Sequence, residues 1–142
     1  MNILYLAAAT SSALTASMDF ASLDEAIEAC RREAVLPVFS AEAQRRSAFI
    51  TAAYQEQAEI SGERAAVAAK RRALRELGLR SATQEAPKPG ESDQELALAQ
   101  LALDDRQRAL DDLRRLETIR QNAVELKRQY FLSHCPSGKQ KP

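Results

Sequence analysis

The sequence predicts an all-α fold: a long, coiled-coil-like antiparallel two-helix hairpin with a short N-terminal helix packed at its open end. Three observations lead there. The 142 residues are rich in Ala and Leu but hold few aromatics, no Trp and only four Gly, a supply that suits helix-on-helix packing. β-Branched and aromatic residues never gather in alternating runs, so strands lack material. Apolar residues recur at helical spacing through two long stretches separated by one cluster of helix breakers.

The first 16 residues stand apart. Residues 3–16 carry no charge and consist of Ile, Leu, Tyr, Ala, Thr and Ser, the composition and length of a secretory signal peptide's apolar region. Ser11 with Ala13 offers one cleavage site, and Ala16 before Ser17 offers another. The stretch is too short, and too diluted by Thr10, Ser11, Ser12 and Thr15, for a permanent membrane span of about 20 apolar residues. The expectation is export to the periplasm or beyond, with residues 17–142 as a single helical-hairpin domain. If the segment is retained, the alternative is a cytoplasmic protein carrying one extra apolar helix.

Ser22 and Glu25 have the spacing of a capping box, so a short helix is expected over about 22–34, with Leu23, Ile27, Cys30 and Ala34 on one face. Pro37 should end it, because the residue before a proline is pushed out of the α region. Ser40 is then placed to cap a long helix over about 40–78. Along it Ala53, Ile60, Val67 and Leu74 recur every seven residues, joined by Phe49 and Leu77. Glu56, Glu63 and Lys70 break this seam, and Gly62 weakens the middle by about 1 kcal/mol relative to Ala.

Residues 79–91, with Ser81, Thr83, Pro87, Pro89 and Gly90, form the central loop. Ser92 and Glu95 make a second capping box, opening a long helix over about 92–133 and leaving 134–142 as a tail. Its apolar set is Leu96, Leu103, Leu110, Leu113, Leu116, Ala123, Leu126 and Tyr130, widened by Ile119, Val124 and Phe131.

Two such helices joined by a short loop lie antiparallel. Matching their ends places Leu74 near Leu96, Val67 near Leu103, Ile60 near Leu110 and Phe49 near Ala123 or Val124. The same register brings Cys135 opposite the 35–37 corner, from which the short helix folds back carrying Cys30. A Cys30–Cys135 disulfide follows, and closing so long a loop contributes about 4 kcal/mol by the chain-entropy model.

Twenty basic and 20 acidic residues give zero formal net charge, so no summed field draws nucleic acid or an anionic membrane. The charges interleave as solvated helix faces. The single histidine, His134, stands beside Cys135; with Cys30 it makes an incomplete zinc set. Neither a Gly-rich phosphate loop nor a CxxC, HExxH or GxSxG motif occurs. The expectation is a non-enzymatic protein with no metal, cofactor or small-molecule substrate. It would act by protein binding, by self-association, or as a structural element of the envelope. A periplasmic holdase, or a cytosolic assembly protein if the N-terminus is kept, are the alternatives. Phe39, Phe49, Tyr54, Tyr130 and Phe131 gather toward the disulfide end and are the candidate interaction surface, although core packing explains such a gathering equally well.

Overall fold

The computed structural model describes residues 20–81 and 90–135. The proposed signal peptide, most of the central loop and the tail beyond Cys135 lie outside the described residues. Three helices account for nearly all the rest, and among the described residues there is no strand: α1 is Ala21–Glu28, α2 is Arg32–Ser81 and α3 is Gly90–His134. The two long helices pack against each other and α1 contacts both, the architecture that the composition and periodicity predict. Antiparallel pairing is written in the ion pairs, since Glu42 meets Arg120 and Arg45 meets Glu117, while Arg64 meets Asp104.

The boundaries at the first turn differ from expectation. α1 opens at Ala21 behind Phe20 with no side-chain cap, so the Ser22–Glu25 capping box does not form. It ends at Glu28, in a turn through Ala29 and Cys30 and not at Pro37. Cys30 N–H donates to Ile27 C=O at 2.9 Å and Arg31 N–H donates to Ala26 C=O at 2.9 Å. With Cys30 at φ 49°, this is a Schellman cap, a position usually given to Gly because a side chain there costs about 1 kcal/mol or more.

Arg31 C=O then accepts from Ala34 and Val35 N–H, both at 3.0 Å, and starts α2 at once. Pro37 and Ser40 therefore lie inside α2. The proline falls just beyond the first turn, where it removes a single donor, and the Glu33 carbonyl left without that donor belongs to an exposed residue that water can reach. Ala34, expected on the packed face, is exposed, and its neighbour Val35 is fully buried. α3 likewise begins two residues ahead of Ser92, which is not its cap.

The structure divides into two compact units: one joins the chain up to Ala53 to the chain from Leu113 onward, and the other is Tyr54–Asp112. In the first, Leu23, Ala26, Ile27, Val35, Phe131 and Cys135 form a buried cluster with Phe20 and Phe39 against it. In the second, Ile60, Val67, Leu96, Leu103 and Leu110 are the buried apolar residues.

Candidate functional site

The first unit concentrates the unusual chemistry. Its α3 seam continues the seven-residue series Leu96, Leu103 and Leu110 through Glu117, Val124 and Phe131. The one polar member, Glu117, is taken up by Arg45 from α2 in a two-pronged pair at 2.8 and 2.7 Å. One turn further along, Arg120 and Glu42 are buried together, with Arg120 Nε donating to Glu42 at 3.1 Å and Nη2 to its other oxygen. Arg45 also donates to Glu42 at 3.0 Å, so four charges of alternating sign form one network.

Burial pushes the Glu42 carboxyl up, but the hydrogen bonds from Arg120 and Arg45 and their positive charges outweigh it and hold the group below its ordinary value. The hydrogen bond to Glu117 raises the Arg45 guanidinium further above its already high range. Such a network fixes register, because sliding either helix by one turn strands buried charges. Phe20 closes over this side, its ring 4.9 Å from the Arg120 guanidinium and 5.4 Å from the Lys127 ammonium. Lys127 in turn pairs with Asp24 of α1.

Cys30 and Cys135 lie at disulfide distance with Cα atoms 5.6 Å apart. Cys135 belongs to the buried cluster, whereas Cys30 is an exposed residue, so the pair joins the cluster to the surface. His134 stacks on the Tyr130 ring, centroids 5.0 Å apart and planes 12° from parallel. Among the described residues no three His, Cys, Asp or Glu side chains converge as a metal site, and no helix is long and apolar enough to cross a membrane.

The five aromatics expected to form one surface separate. Phe131 is fully buried and Phe39 packs on it with ring centroids 6.2 Å apart. Phe49 is buried as well. These three are core. Tyr54 is 76% exposed and belongs to the second unit, so it is neither core nor grouped with the others. Tyr130 remains exposed in the first unit.

Tyr130 has different companions. Leu116, Ile119 and Leu126, expected in the seam, are exposed at 51, 55 and 67%, because Glu117 keeps the seam on its own seven-residue line and Val124 and Phe131 fill it instead. With half-buried Ala123 between them, residues 116, 119, 123, 126 and 130 follow one another at intervals of three and four along α3. They make a second apolar stripe about 20 Å long, at 1.5 Å rise per residue. In the sequence the residues of the two stripes merge into a single wide apolar face, and the structure separates them. Comparison with known proteins found no matching family model, no similar curated protein and no similar solved structure.

Proposed function

We propose that this is an exported, non-enzymatic helical-hairpin protein that works by binding protein through the second stripe of α3. The observation that carries the reading is that four large apolar side chains, Leu116, Ile119, Leu126 and Tyr130, stand in water at heptad-like spacing beside an already complete seam. A surface stripe of that length is unfavourable for a chain that remains alone, and it has the form into which a helix or a groove packs. The disulfide-distance pair supports an oxidising compartment, in keeping with the signal-like segment over residues 1–16.

Two measurements test the two parts. Intact mass with thiol labelling, on protein made in its native host and fractionated, should show loss of the first 13 or 16 residues and no free thiol. A full-length chain with two free thiols in the cytosol contradicts export. Replacing Leu126→Glu should leave the fold intact, because the residue is two-thirds exposed, while abolishing association. Unchanged association in that variant and in Ile119→Glu would refute the binding face.

A further inference from the structure

We propose that Cys30–Cys135 is a thiol–disulfide exchange site, opened at Cys30 by a small thiolate while the protein stays folded, and not a permanently closed structural bridge. The proposal is independent of the α3 stripe. The two sulfurs sit in unlike surroundings: Cys30 is an exposed residue of the turn between α1 and α2, whereas Cys135 is 6% exposed and belongs to the apolar cluster. Exchange requires a thiolate to reach one sulfur in line with the bond, so access selects Cys30 for attack and Cys135 as the leaving sulfur. Exposed bridges are, as a class, the readily reduced ones.

The structure accommodates both products. The thiolate's electron pair bonds to Cys30 Sγ, the Sγ–Sγ bond breaks, and its electron pair departs on Cys135 Sγ, which takes a proton from water. That thiol has an acceptor in place: Cys135 Sγ lies 3.6 Å from the Ile27 carbonyl oxygen, whose other lone pair takes the Cys30 N–H at 2.9 Å. Apolar surroundings keep such a thiol protonated and unreactive. A second small thiolate then bonds to the sulfur added at Cys30 and leaves with it as a disulfide, so two small thiols are oxidised as the bridge is reduced. The chain ends stay together throughout. Arg32 Nη1 donates to Cys135 C=O at 3.3 Å, and its guanidinium lies 5.6 Å from the Phe131 ring centroid. The turn that carries Cys30 is held by the Cys30 and Arg31 N–H donors, and Leu23, Ala26, Ile27, Val35 and Phe131 pack without help from the bridge. Both sulfurs therefore remain within reach, and a small oxidised thiol reverses the opening.

The test treats oxidised protein, purified from its native host, with glutathione, stops the reaction early with acid and maps the adduct by peptide mass. Glutathione should be found on Cys30, with Cys135 as the free thiol. The opening rate should rise in proportion to glutathione and stay flat at urea concentrations below the unfolding transition, and circular dichroism of the reduced protein should retain the helical signal. A rate that levels off with glutathione, or that climbs with urea along the unfolding curve, means that the bridge opens only through unfolding and overturns the proposal. An adduct on Cys135 overturns the choice of sulfur. Protein that arrives reduced and fails to close with oxidised glutathione overturns the site itself. Single variants read the same asymmetry without the bridge: Cys30 in folded Cys135→Ser should react with iodoacetamide at least about tenfold faster than Cys135 in folded Cys30→Ser, because exposure and thiolate character set the rate. Equal rates would contradict the assignment.

Discussion

The two units of this molecule are held together by different means. The first, containing α1 and the ends of α2 and α3 nearest it, buries aromatic and aliphatic side chains, encloses the Glu42–Arg120 pair and carries the Cys30–Cys135 closure. The second, Tyr54–Asp112, has a single file of Ile, Val and Leu. Its flanks are polar and only partly buried: Arg106 spreads over Glu56, Glu63 and Glu59 at 2.9, 2.7 and 3.4 Å, and Gln57 and Gln107 exchange hydrogen bonds at 2.9 and 3.1 Å. Exposed ion pairs contribute about 0–1 kcal/mol each, whereas opening a buried pair costs several. Stability should therefore be concentrated in the first unit, with the second closer to a bare coiled coil.

The largest effect should come from splitting the buried pair. Arg120→Ala leaves Glu42 with Arg45 alone and should cost about 3–5 kcal/mol in chemical denaturation, whereas replacing both Glu42 and Arg120 with Leu should cost far less or nothing. Equal losses in the single and double variants would mean that the pair itself, and not the stranded charge, sets the cost. Acid should act through the same group. The folded Glu42 carboxyl is held below its ordinary value, so its stabilising contribution is complete above about pH 4.3, the ordinary glutamate value, and is lost as pH falls below it. Denaturation midpoints of Glu42→Gln should accordingly vary less with acid than those of the parent chain.

Next comes the closure. Replacing both cysteines by Ser should cost about 2–5 kcal/mol. Changing Cys30 to Gly instead, with Cys135→Ser, should recover about 1 kcal/mol of that, because the position has positive φ and Gly occupies it without penalty. No difference between the two double variants would show that the turn relaxes once the bridge is gone.

The smallest effects belong to the second unit. Arg106→Ala should lower thermal stability by about 1 kcal/mol or less. Gly62, whose added methyl would meet open space, should gain about 0.5–1 kcal/mol when changed to Ala. An Arg106 loss as large as that of Arg120 would erase the contrast between the units.

The sequence made the hairpin, the bridge partners and the thin seam legible, because each rests on local periodicity or chain length. Ile60, Val67, Leu96, Leu103 and Leu110 needed only their seven-residue spacing. The first turn was not legible, since a Schellman cap normally advertises itself with Gly and here carries Cys30, while Pro37 gave a stronger and misleading signal. The buried network was missed for another reason. Glu42 and Arg120 are 78 positions apart, and each alone looks like one more charge on a solvated helix. Glu117 conceals the rest: a carboxylate on the seam line shifts the apolar pattern onto Leu116 and Leu126, which the structure leaves exposed.

The most direct test of the contrast is native-state hydrogen exchange on the oxidised protein. α1 and the parts of α2 and α3 that pack with it should exchange only through the costliest opening, while amides of residues 54–77 and 93–112 exchange through cheaper local opening. Uniform protection along both long helices, or stronger protection in the second unit, would contradict the account.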